Sequence, residues 1–319
     1  MFQKYKYVLA VYEERCFTKA AKRLFISQPS LSVAIRNVES KVGMPLFERC
    51  GGTLHLTEAG KAYIAAAQKM EYAETAFCRQ IEDLNGLQTG KLIVGGSNYL
   101  TSDVISKLVS RFRSLYPGVE IMLTEANSTH LRERLEKEEV DLVIDNFGNF
   151  PEQYQRYELV EEQVMLCVPG DRKINEALAQ FQIPPDRLYT NPDSIKAVPP
   201  VDISVFKEEP FVLLKQGNDM HDRAMGILKA GKIRPEIRFQ VDQLNISYAL
   251  AESGSGACFI TDTFFRYRKY TANVLLYKLN SPLAGRTLHI VHKKGRYCTK
   301  AMEAFIKITR DMLGGQSDV

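Results

Sequence analysis

Two interleaved seven-residue series constrain this chain more than any other feature. Ala59, Ala66, Ala73, Gln80 and Leu87 form one series, and Tyr63, Met70, Phe77 and Leu84 form the other, offset by four. Alternating spacings of three and four place these residues on one narrow stripe of an α-helix, the seam of a coiled coil. At 1.5 Å per residue, four heptads make a rod of roughly 40 Å. A lone helix in water leaves such a stripe uncovered, so the pattern predicts helix pairing, with Tyr63, Met70, Phe77 and Leu84 as dimerisation residues. The alternative is an amphipathic helix packed on its own domain. Gln80 is the polar position of the seam, a kind of residue that fixes register at a cost in stability.

Three short helices precede the rod. Tyr5, Val8, Leu9 and Tyr12 give the first an apolar face, Thr18 has the side chain of an N-cap ahead of Lys19–Leu24, and Ser27 caps a third with Pro29 in its first turn. Two short helices about a tight corner have the layout of a helix-turn-helix. Arg49–Leu56 alternates around Gly51 and Gly52, which suits a β-hairpin wing, and Thr57 can cap the rod. The whole chain carries a formal charge of only +4, but residues 1–57 hold nine basic against four acidic side chains, a net of +5. A polyanion therefore meets the N-terminus.

After Lys91 the period changes. Leu92–Val94, Glu120–Thr124 and Asp141–Asp145 read as strands separated by helices, the βαβ order of a parallel sheet. A second set follows at Val164–Val168, Phe211–Leu214, Ile237–Val241 and Ala257–Ile260, and the strands near Val274–Leu279 and Leu288–His292 are expected to return to the first sheet. The expected fold class is α+β and multidomain: a winged helix-turn-helix over 1–58, a linker helix over 59–89, and a two-lobed α/β domain over 90–319. Lobe I takes 90–163 and 268–319, lobe II takes 164–267. The proline-rich stretch 172–208 is an insertion with no role assigned by sequence.

The strings Phe17–Leu24, Ile26–Ser32, Val38-Glu39, Gly43, Pro45–Arg49 and Leu56–Gly60 closely resemble the N-terminal reader of LysR-type transcriptional regulators. Gly90–Gly95, Asp141–Ile144 and Ala249–Gly256 fit that family's effector domain. The resemblance implies a C-terminal fold like the type 2 periplasmic binding proteins, regulation of transcription by a small-molecule effector, and a homodimer or homotetramer. It departs at Val33, where relatives often carry a basic residue, and at Gly51-Gly52-Thr53, where they often carry an arginine.

Within that frame the residue chemistry assigns two sites. Thr18, Gln28, Pro29, Ser30, Ser32, Arg36 and Arg49 are the predicted contacts to double-stranded DNA, expected to be a pseudo-palindromic operator. Amide and hydroxyl side chains suit base edges, and arginines suit phosphates. Ser97, Asn98, Thr101, Ser102, Ser128, Thr129, Asn218 and Gln243 are the predicted effector contacts, with Asn127, Gln216, Asp219, Met220 and Asn245 as further candidates. They lie in turns leading from strands to helix N-termini, where free N–H groups attract anions, so a small carboxylate-bearing metabolite is the expected ligand.

Other functions find little support. His289 and His292 lie three apart in a strand, which sends them to opposite faces, so no metal site is expected. No nucleophile elbow, P-loop or dinucleotide fingerprint occurs, and neither a cofactor nor an enzyme activity is predicted. The six cysteines are widely spaced, as reduced thiols are. The start lacks an export signal and no apolar run reaches membrane-spanning length, so a cytoplasmic location without a membrane partner is expected rather than an exported solute-binding protein.

Overall fold

The computed structural model describes residues 4–50, 53–84, 86–147, 151–267, 269 and 273–314, in two compact units, Met1–Leu84 and Asn85–Val319.

In the first unit α1 (Tyr5–Glu14), α2 (Phe17–Arg23) and α3 (Gln28–Val42) enclose a core of Val8, Leu9, Val11, Ala20, Ala21, Leu31 and Ile35. Tyr12 is 38% exposed, because Ala10 and Val11 take the inner positions of α1 instead. Cys16, not Thr18, is the N-cap of α2, so Thr18 lies inside its first turn. Ser27 caps α3 by accepting from the Ser30 amide at 3.3 Å, and Gly43, at φ +83°, ends it.

The wing is β1 (Phe47–Cys50) paired antiparallel with β2 (Thr53–Leu56); its Gly51-Gly52 turn lies outside the described residues. Glu39 holds its base by accepting from the amides of Leu46 (2.8 Å) and Phe47 (3.4 Å). The rod, α4 (Glu58–Leu84), starts where Thr57 accepts from the Gly60 amide at 2.9 Å and donates to the Pro45 carbonyl at 2.7 Å. A Cβ on Gly60 would come within 2.1 Å of the Leu46 carbonyl oxygen, so this crossing admits only glycine.

Two expectations for the rod need correction. Tyr63 is buried with Ile64 and Ala67 in the core of its own reader, so its ring is not presented to a partner. The helix ends at Leu84. Leu87 lies in the 3₁₀ turn Gly86–Gln88, after Gly86 has taken a φ of +67°, and packs on the core of the second unit.

The second unit is built on one long strand shared by two sheets. Its elements are β3 (Lys91–Gly96), α5 (Asn98–Leu100), α6 (Ser106–Leu115), β4 (Glu120–Glu125), α7 (Ser128–Glu136), β5 (Leu142–Asp145), β6 (Tyr154–Pro169), α8 (Ile174–Ala177), β7 (Gln182–Ile183), α9 (Pro185–Thr190), β8 (Pro210–Leu214), α10 (Asp219–Ala230), β9 (Glu236–Val241), α11 (Leu244–Glu252), β10 (Ala257–Thr261), α12 (Thr263–Arg266), β11 (Val274–Lys278), β12 (Gly285–Lys293) and α13 (Lys300–Leu313). The strand order is β4-β3-β5-β12-β6-β10-β8-β9. Tyr154–Gln163 of β6 pair with β12, whereas Val164–Pro169 pair with β10 and β11. The β3/β4, β3/β5, β8/β9 and β8/β10 pairs are parallel, as the βαβ reading expects.

β11 does not return to the first sheet. It pairs with the lobe II half of β6 and with β7, so the return begins only at β12. The proline-rich stretch is packed, not looped out: Leu188, Ile195, Val198, Val201 and Phe206 are buried in the main core, and the Phe206 and Tyr277 rings lie 5.1 Å apart.

Candidate functional site

The reader presents one polar face. Gln28, Ser32 and Arg36 are spaced by four along α3, opposite the buried side of Leu31, Ala34, Ile35 and Val38. Gln28, Pro29, Ser30 and Arg36 are exposed, Ser32 is half-buried, and Thr18 is exposed on the neighbouring helix. The Gln28 amide donates to the Ser32 hydroxyl at 2.8 Å, which orients its carboxamide along the face. Val33 is 48% exposed beside them. Arg49 belongs to β1, but its side chain lies outside the described residues.

On α4, the residues left open after Tyr63 enters the core are Met70 (39% exposed), Phe77 (61%), Ile81 (47%) and Leu84 (80%). Ile81, four after Phe77, was missed because it falls outside a strict heptad. Nearer the reader, the Tyr5 hydroxyl and Lys6 ammonium both bond Glu74 and fasten α1 to this helix.

The second unit has a cleft of about 870 Å³, open mouth included, where the ends of its strands meet helix N-termini. Of the predicted effector contacts, Ser97, Asn98, Ser128, Asn218 and Gln243 line it, together with Asn127, Asp219 and Met220. Thr101, Ser102, Gln216 and Asn245 do not. Ser102 donates to the Tyr99 carbonyl within its own turn. Thr129 instead donates across the cleft to the Gly217 carbonyl at 3.1 Å, and Gln243 donates across it to Glu125 at 3.2 Å. These are bonds between lobes.

Sequence reasoning missed Tyr99, Asp145, Asn146 and Arg286 in the lining. Arg286 is buried. Its guanidinium donates to Glu162 (2.7 Å), Asp219 (3.0 Å) and the Tyr99 hydroxyl (3.4 Å). Burial alone would lower its pKa, but Glu162 and its other neighbours outweigh that and raise it. Asp145, at the end of β5, accepts from the Ser128 hydroxyl, and burial pushes its carboxyl up to about 7. Asp145 was findable by the strand-end rule that picked out Ser97. Arg286 comes from an antiparallel strand and carries no such signal.

His289 and His292 are both buried, and burial lowers the pKa of each. Among the described residues no group of three or more histidine, cysteine or acidic side chains gathers as a metal site.

A model of the bacterial regulatory helix-turn-helix protein, lysR family, matches residues 2–61, and a model of the LysR substrate binding domain matches residues 85–314. The chain belongs to the LysR family. It is a LysR-type transcriptional regulator with an effector-binding domain, not an enzyme.

Among its relatives, the uncharacterized HTH-type transcriptional regulator YcgK of Bacillus subtilis (strain 168) is 26% identical over 312 residues, covering 97% of this chain and 93% of that one. A probable RuBisCO transcriptional regulator of Synechocystis sp. is 28% identical over 307 residues, covering 93% of this chain and 82% of that one. Full-length OxyR from Pseudomonas aeruginosa, solved as a single-residue variant, matches with a TM-score of 0.63 at 20% identity over 99% and 95% of the two chains. Full-length CbnR complexed with its target DNA matches with 0.59 at 18% identity over 98% and 99%. This LysR-type regulator shares their fold. Among its described residues no helix is long and apolar enough to cross a membrane.

Proposed function

We propose that this regulator works in the cytoplasm as a homodimer, or as a homotetramer of two such dimers, carrying two readers to a pseudo-palindromic operator. The observation that supports it is the open apolar stripe Met70, Phe77, Ile81 and Leu84 on α4, which a second copy of the same helix would cover. Thr18, Gln28, Pro29, Ser30, Ser32 and Arg36, with Arg49 from the wing, contact DNA. Gln28 reads a base edge and the arginines take phosphates.

The effector is a small carboxylate-bearing molecule in the cleft, touching Ser97, Asn98, Ser128, Asn218 and Gln243. Arg286 is already bonded to two carboxylates, so the ligand's acid group goes to the first turns of α10 and α11, which their own N-cap side chains leave uncapped. Ligand binding shifts the relative packing of subunits and so the geometry on DNA, by a coupling of about 1 to 3 kcal/mol. Sedimentation of Phe77→Glu tests the seam: dissociation is expected, and a variant that sediments as wild type removes the assignment.

A further inference from the structure

The cleft carries more acid than base. Arg286, the basic residue of its lining, is held by Glu162 and Asp219, and Asp219 also takes Arg223 at 2.7 Å. At the mouth Asp242 pairs with Lys215 at 2.8 Å, and Glu125 accepts from Gln243. Asp145 feels the charges of Arg286 and Asp219 but is bonded to neither. It is 3% exposed, reaches the cleft wall at the end of β5, and receives the Ser128 hydroxyl at 3.1 Å. The charge of Arg286 acts on it and draws its pKa down, but burial outweighs that. Arg286 is committed to Glu162 and Asp219, so it offsets only part of the cost of burying Asp145 as a carboxylate; a proton, or a cation delivered by a ligand, relieves the rest.

We propose that the effector carries a protonated amine and that Asp145 receives it, a proposal that rests on reading this cleft as the effector site. Ser128, at the start of α7, holds the carboxylate in place from the first lobe. The first turns of α10 and α11 stand across the cleft in the second lobe. A small amino acid, α or ω, therefore spans the lobes, with its ammonium on Asp145 and its carboxylate on the helix N-termini. A metal ion fits this wall poorly, since no set of three or more ligating side chains gathers among the described residues. The carboxyl pKa of about 7 accords with a group that gives up its proton when a cation arrives.

The test is calorimetric titration of the full-length protein with the proteinogenic L-α-amino acids, β-alanine and γ-aminobutyrate, and with their des-amino partners, among them propionate, butyrate, succinate and glutarate. At least one amino acid should bind, and its des-amino partner should bind at least about 30-fold more weakly. Asp145→Asn, which keeps the side chain's size, should level the two. If that variant does not fold, the wild-type comparison decides alone. A des-amino acid that binds as tightly as its amine partner, or no binding by any amino acid, overturns the proposal. Failure of the sensor reading looks different: an amino acid that prefers wild type over Asp145→Asn, yet binds equally with and without operator DNA recovered by selection from a random pool, keeps the amine assignment and removes the sensor.

Discussion

Arg286 and Glu162 face each other as cross-strand partners of β12 and β6, with guanidinium and carboxylate 2.7 Å apart and both buried. One residue beyond Gln163, β6 leaves the first sheet for the second, so this pair sits under the cleft where the lobes join.

Breaking such a pair from one side leaves a buried charge uncompensated. Arg286→Met should lower unfolding stability by about 3 to 5 kcal/mol in denaturant titrations. Adding Glu162→Gln removes the stranded charge but keeps an acceptor for Tyr99 and Thr263, and should restore at least half of the loss. Additive losses in the double variant would mean the two residues act independently.

The reading face separates into two kinds of contact. Arg36→Ala should weaken binding to every DNA sequence and reduce the salt slope by roughly one. Gln28→Ala should relax preference at one base position, at a cost of about 1 to 3 kcal/mol. Binding isotherms at several salt concentrations check both, and an unchanged slope for Arg36→Ala would place that side chain off the phosphates.

Asp145 gives stability a pH dependence of known sign. Its carboxyl titrates at about 7 in the folded chain against 3.8 when unperturbed. The neutral form therefore favours the folded state at low pH, and that contribution is lost as pH rises through about 7. The full effect is on the order of 4 kcal/mol. The difference in thermal stability between Asp145→Asn and wild type should grow in the variant's favour from about pH 4 to pH 7, then level off. A difference that stays flat across this window would mean Asp145 is ionised throughout.

Local patterns were legible where local chemistry decides the structure. Ser27 and Thr57 mark helix starts by their own side chains. Strand-end polar residues such as Ser97, Asn98 and Ser128 converge on the cleft because parallel βαβ order places those ends together. What depended on distant pairing was not legible. Val274–Lys278 is an apolar run that suits either sheet, and only its register against Met165–Pro169 assigns it to the second. Tyr63 fits the heptad yet is taken by the reader's own core. Thr129 has ligand-binding chemistry, but it lies outside the cleft lining and its bond crosses between lobes to Gly217.

The most direct measurement is selection of double-stranded oligonucleotides from a random pool by the full-length protein, followed by sequencing of the bound fraction. Two readers on one dimer should recover inverted half-sites whose centres lie whole helical turns apart, multiples of about 10 base pairs. Recovery of single half-sites without fixed spacing, or of no preferred sequence, would contradict a dimeric sequence reader.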